Sequence, residues 1–127
     1  MRILVVDDNP AMAASTCEVL RLRGWLAEWS PSAAAALVRL EVFPARVVLT
    51  DYSMPDASGI ALAQTIAATA GGVRVIVTTA YDGEEFDAIA RQAEEVGAVA
   101  VRKATTSGDL KELLQMLDDI AKEERKA

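Results

Sequence analysis

"VVLTDYSMPDASG", residues 47–59, carries an apolar run into Asp51, then Met54-Pro55, and reaches Gly59 eight positions after the aspartate. A short apolar run bounded by Pro, Ser and Gly reads as a buried strand followed by a loop. Carboxylates are almost never fully buried without a partner, so an aspartate at the end of such a strand calls for a reason.

The same grammar extends in both directions. Ile3 to Val6 reads as a first strand, and Asn9-Pro10 is a cap and first-turn pair opening a helix that Gly24 stops. Trp25 to Trp29 reads as a second strand, and Ser30-Pro31 opens a second helix with Ala33, Ala36, Leu37 and Leu40 on one face. The run Val47 to Leu49 is the third strand, and a third helix follows Gly59. Val73 to Val77 is a fourth strand, after which Phe86, Ile89, Ala90, Ala93 and Val96 recur at helical spacing. Val99 to Val101 is a short fifth strand, and Leu110, Leu113, Leu114, Leu117 and Ile120 mark a last amphipathic helix ending in the charged tail "AKEERKA". Strand and helix alternate five times. That order predicts an α/β fold with a parallel sheet and helices on both faces, because each right-handed crossover must cover the sheet.

Composition narrows the function. The 127 residues suit one domain, with a core that buries about two thirds of the unfolded surface. With 19 acids against 13 bases the formal net charge is −6, and no Lys/Arg cluster follows a phosphate backbone, so direct nucleic-acid binding is not expected. Cys17 is the single cysteine, which excludes an internal disulfide and fits a reducing compartment. The first apolar run meets Asp7 and Asp8 at once, too soon for a signal peptide, and no stretch approaches a membrane span. A cytoplasmic protein without membrane partners is the expectation.

In open parallel sheets, ligands collect at the carboxyl ends of the strands where the strand order reverses. Asp7 and Asp8 end the first strand and Asp51 the third, and these strands are neighbours in a 2-1-3-4-5 order. Converging carboxylates repel unless a cation sits among them. Oxygen donors with room for water suit Mg²⁺, which is commonly held by one or two carboxylates and a phosphate. Thr79 follows the fourth strand and Lys103 the fifth, adding a hydroxyl and an ammonium. A metal, a carboxylate nucleophile, a hydroxyl and a Lys charge are the parts that in-line phosphoryl transfer to an aspartate requires.

With these residues the chain resembles the receiver domains of two-component response regulators, of the chemotaxis-type single-domain kind, over essentially all 127 residues. "ILVVDDNP" is similar to the family's acidic pair, "DYSMPDASG" to its phosphorylated aspartate with Met-Pro and the following Gly, "VTTA" to its Thr-Ala and "GAVAVRK" to the Gly-Ala leading to its lysine. The resemblance implies a flavodoxin-like, doubly wound fold: a five-stranded parallel sheet in the order 2-1-3-4-5 with five flanking helices. It also implies that Asp51 is the phospho-acceptor, Asp8 a direct Mg²⁺ ligand, Asp7 a ligand through water and the Ser53 carbonyl a further ligand, while Thr79 and Lys103 hold the phosphoryl oxygens. A receiver of this kind is not a conventional enzyme, although it catalyses its own phosphorylation and dephosphorylation.

The reading that follows is a stand-alone receiver over residues 1–127 without a separate output domain. It takes a phosphoryl group from a histidine kinase or phosphotransfer protein and signals by docking a downstream protein or relays the group. The chain contains no His, so the histidine donor is a separate protein. A monomer or weak dimer is expected, any pairing running through the last two helices.

Three departures from the family pattern support a second reading, a degenerate receiver acting as a phosphorylation-independent interaction module. Ala104 stands where the family has a proline, so a trans bond and a rearranged loop are expected, a cis bond before Ala costing about 2.5–4 kcal/mol. The Gly97-to-Lys103 spacing is one residue short; Leu110, seven residues on, keeps Lys103 as the matching residue, while strand alternation turns Arg102 away. Ala100 replaces the usual aromatic, leaving no ring to switch. A third class, an aspartate-nucleophile phosphatase of the haloacid-dehalogenase type, wants a second acid two residues after the nucleophile, where this chain has Ser53.

Overall fold

In the computed structural model the described residues are 1–104 and 107–126, so Ala127, the end of the charged tail, lies outside them. The strands are β1 (Arg2–Val6), β2 (Leu26–Ser30), β3 (Val47–Asp51), β4 (Arg74–Thr79) and β5 (Val99–Arg102), β-branched residues being concentrated in all but β2. Between and after them run the helices α1 (Pro10–Leu22), α2 (Ala33–Val42), α3 (Gly59–Thr69), α4 (Gly83–Glu95) and α5 (Ser107–Lys126). The strands are parallel and ordered β2-β1-β3-β4-β5, as expected.

Successive strand residues point to opposite faces, and both faces are covered. Leu4, Val6, Val48, Val75 and Val77 pack with Ala36, Leu62, Ile66 and Ala93 of α2, α3 and α4. Ile3, Val5, Val47, Leu49 and Ile76 pack with Ala13, Cys17 and Leu20 of α1 and with Leu113, Leu117 and Ile120 of α5. Two-sided burial explains why the inner strands read as unbroken apolar runs. Each fully buried Ile or Leu contributes roughly 1.5–3 kcal/mol.

Local signals placed most helix starts. Asn9 caps α1 by accepting from the Met12 amide at 3.2 Å, and Pro10 takes the first position. The start of α2 corrects the expectation placed on Ser30-Pro31. Ser30 stays in β2, where its carbonyl accepts from the Asp7 amide at 3.1 Å, and Ser32 caps α2 through the Ala35 amide at 3.1 Å. The physical reason is that a residue preceding proline is held extended, which prolongs the strand. Trp25 likewise precedes β2 and is buried against the α1–α5 side of the core.

At the amino ends of the strands, Arg46 and Arg74 pair with Glu124 and Glu123 at 2.8 and 2.6 Å, and Arg23 pairs with Asp118, which ties down the last turns of α5. Among the described residues no helix is long and apolar enough to cross a membrane.

Candidate functional site

Parallel strands bring their carboxyl ends to one edge of the sheet. Asp7 follows β1 and is buried, with its Oδ1 accepting from the Asn9 amide at 2.9 Å; Asp8, next to it, is exposed. Asp51 closes β3 with only 13% of its side chain exposed. One carboxylate oxygen from each of Asp7, Asp8 and Asp51 lies within 4.8 Å of the others. Lys103, just past β5, places Nζ 3.1 Å from Asp51 Oδ2 and 3.9 Å from Asp7 Oδ2.

Burial pushes the Asp51 carboxyl above the ordinary carboxylate range; the hydrogen bond and charge of Lys103 oppose that shift, and the charges of Asp7 and Asp8 add to it. One ammonium against three carboxylates leaves the cluster short of positive charge. An all-oxygen donor set of this kind fits a hard cation such as Mg²⁺.

The loops around the cluster are held by backbone bonds. The Tyr52 amide donates to the Thr78 carbonyl at 2.7 Å, and the Gly59 amide donates to the Tyr52 carbonyl at 2.8 Å. Gly59 comes so near that a β-carbon there would stand 2.5 Å from the Asp51 carbonyl oxygen and 3.2 Å from Thr50 Cγ2. The glycine eight residues past the aspartate is therefore a close-packing requirement for the loop that carries Asp51. Thr79 ends β4 and is 1% exposed; its Oγ1 accepts from the Tyr81 amide at 3.2 Å, and its carbonyl accepts from the Lys103 amide at 2.7 Å. That last bond sets the origin of the Lys103 side chain.

The site thus gathers Asp7, Asp8, Asp51 and Lys103, with Thr79 at the adjoining strand end. Ser53 sits exposed in the loop after Asp51. Arg102 is exposed while Lys103 reaches the acids, as strand alternation predicts. Among the described residues no peptide bond is cis, so Lys103 is placed without the proline-type turn.

Two features escaped the sequence reading. Asp56 reaches from the β3–α3 loop to the start of α2, accepting from the Ala33 and Ala34 amides at 3.1 and 2.9 Å. These bonds hold its carboxyl below the usual range. An acid inside "MPDASG" gives no hint of partners 22 and 23 residues away. Tyr52 and Tyr81 meet edge to face with ring centroids 6.3 Å apart, joining the loops that follow β3 and β4.

Residues 3–116 match the response regulator receiver domain. The chain belongs to that family. It is similar to the probable transcriptional regulatory protein TcrX of Mycobacterium tuberculosis, 32% identical over 65% of this chain and 36% of that protein. The chain spans well under half the length of the curated relatives it matches. Among solved structures, the CheY-like receiver domain protein of Methanospirillum hungatei shares 25% identity at a TM-score of 0.81, covering 99% of this chain and 98% of that one. The response regulator TrrA of Thermotoga maritima, solved in complex with Mg²⁺-BeF, shares 27% identity at a TM-score of 0.75 over 91% and 97% of the two chains. The protein is therefore a receiver domain of a two-component response regulator, in the flavodoxin-like fold. Receiver domains act with histidine kinases or phosphotransfer proteins and with downstream targets.

Proposed function

We propose that this receiver domain accepts a phosphoryl group on Asp51 from the phosphohistidine of a kinase or phosphotransfer protein, works as a stand-alone unit in the cytoplasm, and signals by docking a protein or relays the group. The observation that carries the reading is the half-buried Asp51 carboxylate with Lys103 Nζ at 3.1 Å and Asp7 and Asp8 beside it.

An oxygen of Asp51 attacks phosphorus as the P–N bond to the donor imidazole breaks. The bonding pair leaves with the imidazole, and an aspartyl phosphate forms. Lys103 neutralises charge on the transferred oxygens, and the Thr79 hydroxyl, which already accepts from the Tyr81 amide, keeps its own proton to donate to one of them. Asp8 and Asp51, with Asp7 through water and the Ser53 carbonyl, would hold Mg²⁺, which supplies neutralisation of the phosphoryl charge. Attack of water on phosphorus then breaks the bond to Asp51, releasing phosphate and restoring the carboxylate.

The test is intact-mass measurement after exposure to a small acyl phosphate, with and without Mg²⁺. Wild type should gain one phosphoryl group only with the metal, and Asp51→Asn should gain none, because an amide is not a carboxylate nucleophile. Persistent labelling of the variant at another acid would overturn the assignment. A phosphorylation-independent interaction module, the reading favoured by Ala100 in β5, predicts no gain in either protein.

A further inference from the structure

β2 is an edge strand of the sheet, with α1 packed on one face beside it and α2 on the other. Ala27 turns toward α1, so its neighbours Leu26 and Glu28 turn toward α2. There a hollow of about 480 Å³ opens at the sheet's edge, lined by Trp25 and Leu26, by Val42 and Phe43 at the end of α2, and by Arg2 and Arg21. Trp25 and Phe43 are buried and form its floor, while Leu26 and Val42 stand 59% and 74% exposed at its rim. Leu22, at the end of α1, and Val38, one turn before Val42, are exposed as well. Four of the seven large apolar side chains exposed among the described residues thus belong to α1, β2 and α2, the three elements that frame this edge.

The charge around the hollow is unbalanced. Arg2 lies opposite Leu26 in the strand register, with its guanidinium 6.0 Å from the centre of the Phe43 ring. Arg21 donates from Nε and Nη2 to the Ala27 carbonyl at 3.2 and 2.7 Å. Neither arginine makes an ion pair among the described residues, whereas Glu28, which also lines the hollow, is held by Arg39. Two uncompensated cations therefore border an apolar hollow on a chain whose net charge is −6. The Arg21 bonds also limit what can bind. The Leu26 amide donates to the Met1 carbonyl and the Ser30 carbonyl accepts from the Asp7 amide, so Leu26, Glu28 and Ser30 turn their backbone toward β1, and Ala27 and Trp29 turn theirs outward. The Arg21 side chain occupies the outward Ala27 carbonyl and stands where a further strand would pair.

We propose that this hollow is a docking site for an acidic amphipathic helix of a partner protein. Aliphatic side chains on one face of the helix enter over Trp25 and Phe43, and Asp or Glu residues beside them meet Arg2 and Arg21, which is helix-in-groove recognition with charge complementarity added. β2 is five residues long, about 17 Å, a length that about three turns of helix span. A second copy docked through the same face would set arginine against arginine. An anionic lipid surface or a nucleic acid extends over the whole molecule and is repelled by its net negative charge, while a short helix meets only the local pair. The site lies at the amino end of the sheet, opposite the edge that carries Asp51, and is independent of phosphorylation there.

The experiment titrates the whole chain with three synthetic peptides of about four helical turns each: one patterned with Glu and Leu, one of equal charge with Ser for Leu, and one with Lys for Glu. Fluorescence anisotropy of the labelled peptides gives affinity, and backbone amide NMR maps the site. The Glu/Leu peptide should bind, shift Leu26 to Glu28 together with Val42 and Phe43 as one patch, and weaken as salt is raised. The Glu/Ser and Lys/Leu peptides should bind at least about tenfold more weakly, the smallest loss that separates a site from general attraction. Arg2→Gln and, separately, Val42→Ser, both at exposed positions, should each weaken the Glu/Leu peptide while leaving amide shifts outside the hollow in place. Equal binding of either control peptide, shifts centred on Arg23, Lys122 and Arg125 instead of the hollow, or variants that bind like wild type would overturn the proposal. So would binding of phosphatidylglycerol vesicles in place of the peptide, which would assign the patch to a lipid surface, and concentration-dependent shifts at Leu26 and Val42 in protein alone, which would assign it to a second copy.

Discussion

Gly59→Ala is the change whose cost can be worked most directly from the geometry. The new β-carbon would stand 2.5 Å from the Asp51 carbonyl oxygen. Gly59 is not among the glycines with positive φ, so backbone strain contributes nothing and the clash acts alone. Relief requires the first turn of α3 and the end of β3 to separate by about 0.5–1 Å, in a region closed by the Gly59-to-Tyr52 hydrogen bond of 2.8 Å. Overpacking of this kind costs about 1–3 kcal/mol, reduced by the better helix propensity of Ala by up to about 1 kcal/mol. Unfolding entropy near 2.1 cal/mol/K per residue gives a 127-residue domain a drop in Tm of about 4 °C per kcal/mol. Because the atom displaced is Asp51's own carbonyl, labelling by an acyl phosphate should slow as well. The control is Gly71→Ala, where an added β-carbon meets nothing within 4 Å and φ is not positive; it should be neutral or stabilising by up to about 1 kcal/mol. Urea melts and intact-mass time courses on both variants provide the readout. A Gly59→Ala protein as stable and as quickly labelled as Gly71→Ala would refute the close-packing argument.

Asp8→Ala should weaken Mg²⁺ binding more than Asp7→Ala, since a direct ligand contributes more than one reached through water; equal titrations by NMR or calorimetry would show the ligand roles to be wrong. Asp56→Asn tests the clamp on α2. The Ala34 and Ala33 amides lower the folded-state pKa below the ordinary 3.8, so the stabilisation is complete above that value and is lost as pH falls through the lower folded one. The stability gap between wild type and variant, followed by denaturant melts, should therefore be constant near neutrality and close only in acid; a gap that closes near pH 7 would contradict the sign. Beryllofluoride with Mg²⁺ should shift amides strongly around Asp8, Asp51, Ser53, Thr79 and Lys103 but modestly on the exposed faces of α4 and α5. With Ala100 in β5 no ring exchanges between packings, and a ligand shifts an equilibrium only by its differential affinity for the two states. Large concerted shifts on those helices would show that another group, with Tyr81 in the β4–α4 loop the first candidate, carries the change.

From the sequence alone came the alternation of five strands and five helices, the two-sided burial of the inner strands and the residues at the strand ends. All of these depend on local periodicity and on punctuation by Pro, Gly and capping side chains, which act within a few residues of themselves. Asp51, Asp7, Asp8, Thr79 and Lys103 were legible because a parallel sheet sends every strand's end to one edge, so position along the strand already determines the neighbourhood. Where local signals competed, the reading slipped: Ser30 and Ser32 both qualify as caps, and the extended conformation demanded before Pro31 decided for Ser32. Only the tertiary structure could decide the rest. The bonds from Asp56 to α2, the edge contact of Tyr52 with Tyr81 and the approach of Gly59 to Asp51 join segments whose spacing carries no period.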